Sequence, residues 1–97
     1  MSIPVCGWAI QRGMDLNLPT LARATLYVLA DTLSRTGKLC PGLPYLCART
    51  GLSENSQRKW LRVLRDAEAI DWTATPGNPT HYRLVGFEPP QDVRGNL

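Results

Sequence analysis

CARTGLSENSQRKWLRVL, residues 47–64, sets one glycine between two runs with helical spacing. Ser53, two positions after Gly51, is placed to accept hydrogen bonds from the free amides of a first helical turn, and Glu54 suits the positive end of the helix dipole. A helix is therefore predicted over 54–68. At about 100° per residue, Leu61 and Leu64 define its core face, with Gln57, Trp60 and Glu68 on or beside it. Asn55, Lys59, Arg62 and Asp66 fall on the far face, with Arg58 and Arg65 on one flank and Ser56 and Val63 on the other. The basic side chains thus collect toward solvent.

Upstream, residues 43–50 read as a helix, with Gly42 before it, Pro44 tolerated in its first turn and Gly51 breaking it. A short extended KLCP, 38–41, precedes it. From Leu18 to Arg35 the residues Leu18, Ala22, Leu26, Leu29 and Leu33 recur at helical spacing, with Asn17 as the expected cap, Pro19 near the first turn and Gly37 at the end. The other face of this helix carries Leu21, Ala24, Tyr27 and Val28 and needs a cover. The N-terminal segment, with Val5, Trp8 and Ile10, is favoured over a second copy of the chain, so homodimerisation through helix 18–35 or the N-terminal segment stays open.

Downstream, AIDWTATPGNPTHYRLVGF, 69–87, alternates at Ile70 and Trp72 and again at Tyr82 and Leu84, which predicts two strands about a TPGNP turn. The expectation is a mainly α domain of three helices with a small β-hairpin, spanning 1–87. The last ten residues, 88–97, with two prolines and few apolar groups, read as a mobile tail.

The totals restrict the function. A chain of 97 residues with a net charge of +3 fits one small domain and permits a polyanionic partner without demanding one. No apolar run approaches the roughly 18 residues that a membrane span needs, and the N-terminus lacks a basic start followed by an apolar stretch. A soluble, cytoplasmic protein is expected. Cys6, Cys40 and Cys47 are odd in number and irregularly spaced, which favours reduced thiols. Together with His81 they offer no pair at zinc-module spacing, so no metal is expected. One histidine, no glycine-rich phosphate loop and no nucleophile, base and acid in a compact set argue against an enzyme, and no cofactor or small-molecule effector is inferred. Trp60, Trp72, Tyr45 and Tyr82 read as packing residues; single-strand binding calls for aromatics interleaved with charge, a pattern that the linear sequence does not display.

The far face of helix 54–68 has a chemistry suited to nucleic acid. An Asn amide can donate to and accept from one adenine in the major groove, and Lys or Arg can reach guanine acceptors or phosphate. Asn55, Ser56, Lys59 and Arg62 are the candidate base readers. Lys38, Arg49, Ser53, Arg58 and Arg65 are the candidate phosphate contacts, which orient without reading sequence. A solvated amphipathic helix is the plainer explanation of the same pattern.

CPGLPYLCARTGLSENSQRKWLRVLRDAEAI, 40–70, followed by TPGNPTHYRL, 75–84, resembles the winged helix-turn-helix family, especially the small DNA-binding domains of bacteriophage and plasmid replication proteins and regulators. GWAIQRG and LARATLYVLADTL look like the start of such domains, and the likeness covers roughly residues 7–85. It implies that the small Cys47 lets two helices cross closely, that Gly51 makes the tight turn, and that the third helix enters the major groove of duplex DNA. Thr75 and Asn78 would be the wing contacts, in a wing without Lys or Arg. Gln57 stands where the family usually has a branched apolar residue, so that its amide finds a partner at the helix crossing or the helix packs differently. Glu68 stands where a helix-ending glycine is common. A transcriptional regulator of a phage, plasmid or other mobile element is the leading expectation. A replication-origin or excision factor would use the same surface, and a module that binds a host or viral protein is the rival of a different class.

Overall fold

Gly51 ends one helix in the left-handed conformation, φ 80°, and its N–H donates to the Cys47 carbonyl at 2.8 Å. Two residues later Ser53 opens the next, its hydroxyl accepting from the Ser56 amide at 3.2 Å. The structure, a computed structural model, describes residues 3–37, 39, 41–77 and 80–87. Its elements are α1 (Ile3–Asp15), α2 (Thr20–Thr36), α3 (Leu43–Thr50), α4 (Glu54–Asp66), β1 (Ile70–Thr73) and β2 (His81–Leu84). Lys38, Cys40, Asn78 and the tail 88–97 lie outside the described residues.

Among the described residues four helices are present where three were expected, because the N-terminal segment is itself helical. Val5, Ala9 and Gly13, four apart, form its buried stripe against α2. The approach is close: a Cβ on Gly13 would lie 2.9 Å from Cγ of Arg23. Gly7 and Gly13 give the segment weak intrinsic helix propensity, so packing rather than local preference holds it.

The presence of α1 also changes the role of Asn17. It was expected to cap the start of α2, yet it closes α1: its φ is 51°, its N–H donates to Met14, and the next amide, of Leu18, reaches back to Gly13. That pair of bonds is a Schellman closure, in which asparagine tolerates the left-handed position better than most residues. α2 therefore begins at Thr20, two residues late, behind Pro19 and without a side-chain cap.

α1 covers only part of α2. Val28 is buried, whereas Leu21 and Tyr27 remain 40% and 44% exposed, as do Ile10 and Met14 of α1 at 57% and 56%. The core proper lies between α2, α3, α4 and the hairpin, built on Leu26, Leu29, Leu46, Leu64 and Ile70. At its centre sits Gln57, fully buried. Its amide nitrogen donates to the Thr25 hydroxyl at 3.0 Å, and its amide oxygen lies 2.7 Å from the Thr50 hydroxyl. One side chain thus links α2, α3 and α4, and the buried amide has the partners that its position requires.

α4 stops at Asp66, short of Glu68, through a second Schellman closure: Glu68 donates to Arg65 and Ala69 to Leu64, both at 2.9 Å. Glu68 takes the left-handed place, φ 63°, where glycine would be free of strain. Glu68→Gly is expected to raise the unfolding free energy by about 1 kcal/mol, because relief of strain exceeds the added freedom of the unfolded chain. Urea unfolding of the two proteins measures it, and a decrease would refute the strain argument.

β1 and β2 pair antiparallel with Ile70 opposite Leu84 and Trp72 opposite Tyr82. On the other edge of β2 the Tyr82 amide donates to the carbonyl of Leu39 at 2.8 Å, so Leu39 flanks the hairpin. Phe87, just past the hairpin, meets Trp8 of α1 with ring centroids 5.6 Å apart.

Candidate nucleic-acid interface

Burial of Leu61 and Leu64 turns the opposite face of α4 outward, as the periodicity required. Asn55, Lys59 and Arg62 are exposed together on it, while Ser56 is half-buried beside the helix cap. Lys59 rests its ammonium 4.8 Å from the centre of the Trp60 ring, a contact loose enough to leave the charge in water. Arg62 has no hydrogen bond or ion pair among the described residues. Arg58 meets Glu54 at 3.7 Å with both side chains more than half exposed, so this pair costs little to open.

Two candidate phosphate contacts are otherwise engaged. Arg49 donates to Asp31 of α2 at 2.9 Å and to the Tyr45 hydroxyl at 2.7 Å, with Arg35 on the same carboxylate at 3.7 Å. These partners hold its guanidinium proton more tightly than usual, the Asp31 hydrogen bond most of all. Arg65 contacts Asp71 at 3.1 Å and lies over the Trp72 ring, 4.3 Å from its centroid. Sequence separation hid both arrangements: Asp31 is 18 residues before Arg49, and Asp71 joins Arg65 only because β1 folds back beside α4. Thr75 is exposed at the hairpin's end.

Asp71 serves the hairpin more than the interface. Its carboxylate accepts from the Trp72 amide at 2.8 Å and faces Arg65 and Arg83, and these contacts, the backbone bond first, hold its pKa below the ordinary value. A depressed folded pKa stabilises the fold above the unfolded carboxylate value and loses that contribution as pH falls through the folded one. The wild-type protein should therefore lose stability more steeply than Asp71→Asn in that acid window. Thermal unfolding at a series of pH values tests it; parallel curves would exclude a role for Asp71.

Between α4, the start of α3 and the hairpin runs a cleft of about 570 Å³. Leu43, Leu61, Trp72 and Tyr82 provide apolar surface, and Arg58 and Arg62 stand on the α4 side. Trp72 and Tyr82 meet edge to face, 5.9 Å between centroids, and burial pushes the Tyr82 hydroxyl pKa up, so the phenol stays neutral. Both rings pack against the core, as expected, and their matched position across the hairpin also sets them side by side at the cleft.

No helix of the described residues is long and apolar enough to cross a membrane, and no cluster of three or more His, Cys, Asp or Glu among them is arranged to hold a metal ion. Comparison with protein-family models, curated proteins and solved structures finds no match.

Proposed function

We propose that the chain is a sequence-specific double-stranded DNA-binding protein, a winged helix-turn-helix in which α3 and α4 form the helix pair and the hairpin the wing. Its role would be transcriptional regulation in a phage, plasmid or other mobile element. The carrying observation is the α4 surface: a capped helix, seated on the core by two leucines, that offers Asn55, Lys59 and Arg62 together to solvent. An amide and two cations in this array suit base edges, while Ser53 and Arg58 suit the adjoining phosphates. Arg49 braces α3 on α2 in this reading, and Arg65 braces α4 on the hairpin. A replication-origin or excision factor would present the same surface to different DNA.

One observation favours a second reading, a protein-interaction module or a homodimer. Ile10, Met14 and Tyr27 line one groove between α1 and α2 and leave apolar area in water there. Fluorescence anisotropy separates the readings, using the duplex upstream of the protein's own gene and an unrelated duplex of equal length across a salt series. About four phosphate contacts give a slope near −3.6 in log affinity against log salt. A preference of about a thousandfold for the upstream duplex is expected, lost in Asn55→Ala and Lys59→Ala. Equal, weak binding to both duplexes would defeat sequence-specific recognition of that site, and no binding at low salt would favour the protein-interaction reading.

A further inference from the structure

The cleft between α4 and the hairpin joins two surfaces that seldom coincide by packing alone. One side is apolar and aromatic, from Leu43, Leu61, Trp72 and Tyr82; the other carries Arg58 and Arg62. The arginines are one helical turn apart, so both reach the same neighbourhood. None of the described lining residues is acidic. Of the acids near its two arms, Glu54 pairs with Arg58 and Asp71 with Arg65 and Arg83, while Asp66, one turn after Arg62, is exposed and does not line the cleft. Its volume, about 570 Å³, lies within the range of small-molecule sites. An occupant that satisfies both sides has a flat, weakly polar part to cover the aromatics and a compact anionic part for the guanidinium groups.

We propose that this cleft binds a single nucleotide unit, its base against the Trp72 and Tyr82 side and its phosphate between Arg58 and Arg62. Either a free mononucleotide or an unpaired nucleotide of a DNA strand supplies that chemistry. The interleaving of aromatic and cationic groups that marks single-strand recognition is thus assembled from α4 and the hairpin, although it is missing along the chain. The site shares Arg58 and Arg62 with the duplex reading but not Asn55 and Lys59, which do not line it.

The test is titration of the full-length, ¹⁵N-labelled protein, followed by NMR, with deoxyadenosine monophosphate, deoxyadenosine, inorganic phosphate and a deoxyadenosine tetranucleotide. The monophosphate should shift the Trp72 indole N–H resonance saturably. Loss of both arginines in Arg58→Ala/Arg62→Ala should weaken binding by about tenfold or more. Asn55→Ala, which removes a proposed duplex contact, should leave the titration unchanged, so failure of the cleft and failure of duplex recognition read out separately. Deoxyadenosine should bind at least several-fold more weakly, and phosphate should not reproduce the Trp72 shift. Tighter binding of the tetranucleotide than its four units explain would identify a strand as the source; equal affinity per unit would identify the free mononucleotide. No Trp72 shift with either phosphate-bearing probe at millimolar concentration, or a shift indifferent to loss of both arginines in a folded variant, overturns the proposal.

Discussion

Gln57→Glu is expected to destabilise the protein by about 3 kcal/mol or more at neutral pH, a large share of the stability of a small domain. The side chain is fully buried where α2, α3 and α4 meet, so the carboxylate would lose its hydration with only the Thr25 and Thr50 hydroxyls as partners. Burial raises a carboxyl pKa, so the deficit should shrink as pH falls through that raised value and the neutral acid replaces the amide. Gln57→Leu should behave differently. Both hydroxyls keep a carbonyl acceptor in their own helices, Leu21 at 3.0 Å and Leu46 at 2.9 Å, so removal of the amide leaves no donor stranded. Its cost should stay within about 1 kcal/mol. Urea unfolding of the three proteins at neutral pH and in mild acid gives the comparison. A glutamate variant as stable as wild type at neutral pH would mean that water reaches the helix crossing.

Arg62→Ala is expected to weaken duplex binding by about 1–3 kcal/mol, roughly 5- to 150-fold, and to relax base preference at one position of the site. Arg62 is exposed and free of ion pairs among the described residues, so its loss leaves the fold without a stranded partner. Arg49→Ala supplies the contrast. It removes the guanidinium from Tyr45 and leaves Asp31 with Arg35 alone, which should lower the unfolding temperature while leaving the affinity and salt slope of duplex binding unchanged. Equal loss of binding in the two variants would place α3, rather than the far face of α4, at the centre of the interface.

The legible parts of the structure were those determined by neighbours along the chain. Leu61 and Leu64 fix the rotation of α4, Ser53 its start, Gly51 and Gly37 the ends of the preceding helices, and the alternation about Trp72 and Tyr82 the hairpin. α1 was missed because its evidence is tertiary: a glycine at position 13 looks like a breaker until Arg23 is seen packed against it. The misreading of Asn17 followed, since a polar residue between two helices suits the end of one as well as the start of the other. At the candidate interface the rotation of α4 placed the exposed side chains correctly. Which cations were already engaged depended on Asp31 and Asp71, whose positions only the folded chain reveals. Gln57 was legible as an anomaly, but its resolution required two threonines that lie on separate helices.

The contact between Trp8 and Phe87 gives the domain a closed circuit. Trp8 belongs to the first helix, and Phe87 follows the hairpin directly, while Arg12 reaches the Glu68 carbonyl at 3.4 Å beside the same closure. A hairpin that shifted against α1 would therefore disturb the Trp8 indole, which does not line the cleft. The indole of the first helix is thereby tied to the exit of the hairpin, joining the two ends of the described fold.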